Sequence, residues 1–474
     1  MSAIISFGGG VVMARLLDPH DFGLFAAVSA YTALLGRQIQ FGIPEALLRT
    51  EENDMTAIHA GFWGMAVLSV VCFSLIVICS PFLADFYGDQ SYSTVMTTLS
   101  LVFLLQPFCY AAQTELRRSM RHDIVSHIMM LSTLLGVLLS VIVAALGFGV
   151  YSFVVGGITS AVVLLIGTMK YSRWKPSLEW DRKYTKKLFS YGWRVHVANS
   201  LSIASNKVDA ILIGKSLDFS SLGIYRRADS TSKLPVTELL GRLYFVIFSL
   251  FGGLTDKNEE RSAFRKIGTA VLIPIFISLS WLWISMEEFI LFLYGDKWAM
   301  AVPYAKILVI ASALLSLRGF IGIYLSSSGY AGKQMGLAFF DLMLTFCLVS
   351  IGLFWGLEGV SWAIVIRCAL LLVVSVIVLN IYSNVKLVDF LESVSFPLIA
   401  FILSLILGAL WLEDMTDIVG GVVAMIFNIL FLFLFYALVL YGFWRLFPNN
   451  DGLRSFFWLI KDVFASKVMA FTKR

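Results

Sequence analysis

Charge is scarce in this chain. Asp, Glu, Lys and Arg make up 14% of its 474 residues, against about 25% in an average soluble domain. That excludes a water-soluble globular protein, and 59% hydrophobic residues place the chain among polytopic membrane proteins. Cysteine is scarce too. Cys72, Cys79, Cys109, Cys347 and Cys368 all lie in apolar runs without C-x-x-C spacing. This excludes zinc-ribbon and thiol-redox chemistry and leaves them as small buried hydrophobes. No G-x-x-x-x-G-K-[ST] loop occurs, so neither ATP hydrolysis by this chain nor a cofactor is expected. No polar stretch is long enough for a catalytic domain; the longest runs from 171 to 188. The acidic pairs Glu287-Glu288 and Glu413-Asp414 lack metal-ligand spacing. No positive leader with a small-residue cleavage site opens the chain.

What the chain has is apolar runs near twenty residues, the length that crosses ~30 Å of hydrocarbon. About fourteen follow one another between 1–17 and 418–444, among them 189–213 and 222–251. The fold class is all-α and polytopic. Most of the 36 basic residues fall in alternate loops and the tail, among them Arg117, Arg118, Arg121, Lys170, Arg173, Lys175, Arg182, Lys257, Arg261 and Arg265. The opposite loops carry only Arg15, Lys215 and Lys297. The positive-inside rule then sets both termini in the cytoplasm. The net charge of +5 reflects these loops and implies no nucleic-acid partner.

Three motifs recur in order, about 200 to 210 residues apart. Ala14-Arg15-Leu16-Leu17-Asp18 with Phe22-Gly23-Leu24-Phe25 returns as Gly214-Lys215-Ser216-Leu217-Asp218 with Leu222-Gly223-Ile224-Tyr225. Phe86-Tyr87-Gly88-Asp89 returns as Leu293-Tyr294-Gly295-Asp296, and Gly147-Phe148-Gly149-Val150 as Leu357-Glu358-Gly359-Val360. Two six-helix lobes in parallel orientation are expected, 1–170 and 189–381, joined by a cytoplasmic loop at 171–188. A trailing helix pair follows at 391–444. The tail, 449–474, reads as an interfacial helix whose apolar stripe includes Leu453, Phe456, Phe457, Ile460 and Phe464. Parallel repeats are a transporter design, with substrate held between lobes that rock for alternating access.

The runs 189–213 and 222–251 carry more polar residues than a lipid-facing span tolerates. His196, Asn199, Ser202, Asn206 and Asp209 recur at steps of three and four, so they share a helix face. Arg226, Asp229, Ser230 and Lys233 share another. A charge at mid-bilayer costs about 2.5–3.5 kcal/mol even on the mildest scale, so it must face protein or a wet cavity. Only one repeat copy is charged: positions 26, 27, 29 and 33 are Ala, Ala, Ser and Ala where the second half has Arg226, Arg227, Asp229 and Lys233. Arg37, Arg318 and Arg367 are further cations within spans, and Asp341 is a lone carboxylate. Arg pairs bidentately with phosphate and Lys binds it as a point charge. The expectation is that Arg37, Arg226, Arg227, Lys233, Arg318 and Arg367 bind an anionic substrate. Asn199, Ser202 and Asn206 would bond its hydroxyls, and Asp209 and Asp229 would couple an ion. Structural ion pairing is the competing reading of each charge.

The chain resembles a known family. Ala14-Arg15-Leu16-Leu17-Asp18-Pro19, Asp21-Phe22-Gly23-Leu24-Phe25, Phe41-Gly42-Ile43, Phe86-Tyr87-Gly88-Asp89, Glu115-Leu116-Arg117, Asp209-Ala210-Ile211-Leu212-Ile213-Gly214 and Tyr294-Gly295-Asp296-Lys297-Trp298 carry the likeness. They look like the polysaccharide (Wzx O-antigen and colanic-acid) flippase branch of the multidrug/oligosaccharidyl-lipid/polysaccharide exporter superfamily. The resemblance implies a flippase of the bacterial inner membrane carrying undecaprenyl-diphosphate-linked oligosaccharide to the outer leaflet. Membrane lipids are partners in that reading, and a polysaccharide polymerase and glycosyltransferases are candidate partners. Relatives usually carry extra residues ahead of the first span, from which this chain departs. Two alternatives stay open: a drug exporter of the same superfamily, with an acidic cavity, and a membrane-embedded polymerase or glycosyltransferase.

Overall fold

A computed structural model describes residues 2–49, 55–179, 181–254, 256–329, 333–412 and 421–446. The tail helix expected at 449–474 lies outside the described residues, which form helices and no strand. Ten helical stretches among them are long and apolar enough to cross a bilayer, one folding back on itself at Leu353–Trp355. The chain is therefore a multi-pass membrane protein.

The fourteen expected runs do not map one for one onto these stretches. Helix α1 (Ser2–Leu16) has 15 residues. Helix α2 (Pro19–Gln40) is long enough but too polar to count among the ten. A short α3 (Ile43–Arg49) follows, then α4 (Met55–Tyr87), α5 (Ser91–Arg118), α6 (His122–Ala145) and α7 (Tyr151–Tyr171), all apolar. Helix α8 (Arg182–Ser205) is again long but polar. The span expected at 189–213 is interrupted: α8 stops, and α9 (Val208–Ser216) begins after Asn206 and Lys207. There Lys207 N bonds Ala204 O and Ala210 N bonds Lys207 O, three residues apart instead of four. The Asn206 amide donates to Ser202 O at 2.8 Å, so a side chain competes for a backbone acceptor at the break. The span expected at 222–251 is interrupted likewise, between α10 (Phe219–Ser232) and α11 (Leu234–Gly252). Pro235 explains it. The ring has no N–H to give and crowds the carbonyl four residues back.

The chain divides into two compact units: Met1–Arg226 with Leu293–Lys297, and Arg227–Phe292 with Trp298–Arg474. The division falls inside α10, whereas the repeat suggested the 171–188 loop. The reason is packing: α8 and α9 lie on α2, and α8 also on α3 and α4. In that first unit α6 packs on α7, α4 on α5, α5 on α7 and α1 on α6. Two backbone contacts there require glycine. A Cβ on Gly23 would sit 1.6 Å from Phe219 O, and one on Gly223 would sit 1.9 Å from Pro19 O. These are repeat-equivalent positions meeting reciprocally. A Cβ on Gly42, whose φ is +70°, would meet Gly192 O at 2.4 Å, and one on Gly192 would meet Phe41 O at 2.4 Å.

The second unit continues with α12 (Lys257–Ile284), α13 (Met286–Tyr294), α14 (Val302–Ser327), α15 (Lys333–Gly352) and α16 (Gly356–Tyr382). The trailing pair is α17 (Leu387–Leu407) and α18 (Gly421–Leu446). Helix α14 packs on α11, α12 and α16, and α15 on α16. The trailing pair docks on α12 through Ile273, Ile284, Phe396, Ala400, Leu432, Tyr436 and Leu440. Ser280 and Ser404 lie 2.7 Å apart, and Tyr436 OH is 2.8 Å from Ser280, so the buried hydroxyls satisfy one another. At one end of α12, Asp389 accepts from Arg261 Nε at 2.8 Å and Arg265 Nη1 at 3.4 Å. That clamp fixes α17 to the start of α12.

Candidate functional site

In the first unit the polar residues form two clusters. Asp209 is buried at the start of α9. It accepts from Ala210 N at 2.8 Å, Tyr225 OH at 3.1 Å and Arg226 Nη2 at 2.9 Å. A buried carboxylate needs such donors, because an isolated charge there is costly. Arg226 is thus the cation paired with Asp209. On the same helix stretch Asn199 is partly buried, while Ser202 and Asn206 are exposed.

The other cluster surrounds the end of α2. Arg37 donates to Gln40 Oε1 and, at 2.8 Å, to Glu45 Oε1 on α3. Gln40 donates to Tyr110 OH at 2.6 Å. Next to it, Gln38 Oε1 is 2.8 Å from His196 Nε2, and the His196 ring stacks on Phe41 with centroids 4.4 Å apart. Arg37 does not snorkel; it is held by a carboxylate and an amide. Arg37 Nε, Glu45 Oε2 and His196 Nδ1 are buried without a hydrogen-bond partner. Sequence reasoning singled out only Arg37 of this cluster as a ligand. The signal for the rest was three long polar residues, Arg37, Gln38 and Gln40, inside an apolar run.

In the second unit, Asp229 is buried and pairs with Lys233 one turn on, at 2.5 Å. The Arg227 guanidinium lies over the Trp298 ring, 5.1 Å from its centroid. Such a cation–π contact helps hold the guanidinium over the ring. Helices α14, α15 and α16 contribute a third group. Arg318 Nη1 is 3.3 Å from Asp341 Oδ2, and Arg367 Nη1 is 3.4 Å from Asp341 Oδ1. Arg367 also donates to Thr345 Oγ1 at 2.9 Å, and Thr345 donates to Asp341 O at 2.6 Å. The cations that read as lone in sequence share one carboxylate.

Among the eleven expected site residues, the structure brings together Asp209 with Arg226, Asp229 with Lys233, and Arg318 with Arg367. Tyr225, Asp341 and Thr345 complete these groups. Arg37 stands with partners the expectation did not include.

Residues 12–303 match the model of a family described as "Polysaccharide biosynthesis protein". The succinoglycan biosynthesis transport protein ExoT of Rhizobium meliloti (strain 1021) is 27% identical over 411 residues, covering 85% of this chain and 82% of its own. The teichuronic acid biosynthesis protein TuaB of Bacillus subtilis (strain 168) is 24% identical, covering 77% and 78%. The lipopolysaccharide biosynthesis protein WzxC of Escherichia coli (strain K12) is 21% identical, covering 74% and 72%. Among solved structures, the lipid II flippase MurJ in an inward closed conformation superposes with a TM-score of 0.76 at 13% identity, covering 94% of this chain and 99% of that one. An inward-facing multidrug-resistance MATE transporter superposes with a TM-score of 0.63 at 16% identity, covering 79% and 93%. At these identities the superpositions establish the fold alone.

Proposed function

The chain belongs to the polysaccharide biosynthesis protein family, and from that premise we propose that it is a flippase for a lipid-diphosphate-linked oligosaccharide. The substrate moves from the cytoplasmic to the outer leaflet of the bacterial inner membrane by alternating access, with both termini of the protein cytoplasmic. An undecaprenyl diphosphate carries the repeat unit, and the enzymes that build and polymerise it are the partners. The chain itself catalyses no bond chemistry.

The observation that carries this reading is the pair of guanidiniums on one carboxylate at Arg318, Asp341 and Arg367. Two guanidiniums that meet at one carboxylate concentrate positive charge where a diphosphate can pair with them. Arg227 adds a cation against Trp298. Arg37, Arg226 and Lys233 are already paired with carboxylates, so each contributes to the substrate by exchanging its partner. Asn199, Ser202 and Asn206 supply hydrogen bonds to sugar hydroxyls. Asp209 and Asp229 are the coupling carboxylates; an ion arriving at either displaces the cation that now holds it.

The test is surface polysaccharide at matched expression in cells carrying Arg226→Ala, Lys233→Ala, Arg318→Ala or Arg367→Ala singly. Export is expected to fall in each. Undiminished export in all four removes the site.

A further inference from the structure

Arg15 lies in the last turn of α1 and Lys215 in the last turn of α9. They hold the same place in two copies of one recurring motif. Their partners correspond as well. Arg15 Nε donates to Leu293 O at 2.9 Å, and Lys215 Nζ donates to Phe86 O, with the ammonium 4.3 Å from the centroid of the Phe86 ring. Phe86 and Leu293 each open a copy of the other motif, Phe86-Tyr87-Gly88-Asp89 and Leu293-Tyr294-Gly295-Asp296. Each cation therefore bonds a carbonyl of the opposite copy, and exchanging the copies turns one contact into the other. All four residues belong to the first unit. The acceptors suit cations, because Phe86 and Leu293 lie in the last turns of α4 and α13. Carbonyls there have no partner within the helix and carry partial negative charge. The same copies meet at Gly23 and Gly223, where neither backbone leaves room for a Cβ. Lys297 adds a third tie, to Leu17 O at 3.3 Å and Asp18 Oδ1 at 3.1 Å.

We propose that Arg15 and Lys215 form a reciprocal latch that holds the outer ends of the two copies together, and that both cations release when substrate leaves on that side. The inference rests on the flippase reading, which puts these turns at the outer face. A cation needed only to cap a helix can come from nearby chain. Here it comes from 278 and 129 residues away, and from the opposite copy both times. Arg15, Lys215 and Lys297 are exposed, and exposed charge contacts are individually weak. The helix contact at Gly23 and Gly223 is close enough to admit no substrate, while the ties that hold it are weak enough to break in each cycle.

Ala27 reports on the closure. It is fully buried and lies one turn beyond Gly23 on the same face of α2. Ala27→Cys in the full-length protein in spheroplasts is read by its rate of reaction with a membrane-impermeant maleimide added outside, measured on its own peptide. Adding Arg15→Ala and Lys215→Ala is expected to raise that rate about tenfold, the combined effect of two such surface contacts. Arg15→Lys with Lys215→Arg is expected to keep it low, since either cation can cap a carbonyl. An unchanged rate in the double alanine variant overturns the latch. A second measurement leaves both cations in place. Asp18→Cys with Lys297→Cys, bridged by a short reducible thiol linker, is expected to stop export of surface polysaccharide, and reductant is expected to restore it. Each single cysteine variant is expected to export normally with the linker present. Full export with the bridge complete overturns the latch and leaves the flippase reading standing. A native chain that restores no surface polysaccharide to a strain lacking it overturns the flippase reading and the latch with it.

Discussion

Asp209 takes three donors from α9 and α10, and Arg226 is one of them. If the arginine only neutralises that carboxylate, Asp209→Asn restores what Arg226→Ala removes. If it also meets the diphosphate, the double variant stays as defective as Arg226→Ala. The second outcome is expected, read as export in a double-mutant cycle, where coupled neighbours show about 0.5–3 kcal/mol. Asp341 presents the opposite balance, one carboxylate for two guanidiniums. Asp341→Asn is expected to destabilise the protein by about 3–5 kcal/mol, because a buried cation loses its partner. Arg367→Leu added to it is expected to recover part of the loss in thermal unfolding. Outside the span, Asp21 opens α2, and burial is the main cause that raises its carboxyl above the ordinary value, with His20 opposing. A raised carboxyl favours the folded state at low pH and loses that contribution as pH rises through the raised value. Asp21→Asn is expected to remove this decline in a series of unfolding temperatures against pH.

At the scale of elements, the interrupted helices matter most. The break at Asn206–Lys207 and the one at Lys233 leave backbone groups away from regular helix geometry, beside the charged residues themselves. In transporters such discontinuous spans line substrate sites, since irregular backbone at membrane depth requires protein or water around it. Pro235→Ala restores the missing N–H and is expected to slow export while leaving the folded protein at least as stable. The contact of α2 with α10 tolerates no side chain at Gly23 or Gly223. Gly23→Ala and Gly223→Ala each force the helices apart and are expected to cost about 1–3 kcal/mol, measured as a lowered unfolding temperature and reduced yield in membranes.

For the whole molecule, the coupling carboxylates bear on the energetics of transport. Asp209 and Asp229 are both held by cations, so coupling requires an ion that trades places with a guanidinium or ammonium. Proteoliposomes loaded with fluorescent lipid-linked sugar are expected to transport faster under an imposed pH or sodium gradient. Equal rates with and without gradients end the coupling assignment.

Much of this protein was legible without coordinates. Low charge and serial apolar runs determine a polytopic all-α membrane chain, since hydrocarbon admits little else. The recurring motifs suggest a duplication, and the structure adds that Gly23 and Gly223, which hold the same place in two copies of one motif, lie where helices approach closely. Spacing alone also put Asp229 and Lys233 one turn apart, and they pair. The partners of the charges were not legible. Arg37 finds Glu45, Asp209 finds Arg226, and two distant arginines converge on Asp341, because ion pairing depends on distances between helices that no local periodicity encodes. The compact unit likewise extends through Arg226, where the repeat had suggested 171–188, because α8 and α9 bury their faces on α2. Local pattern sets which segments cross the membrane; packing between them decides which charge each cation meets.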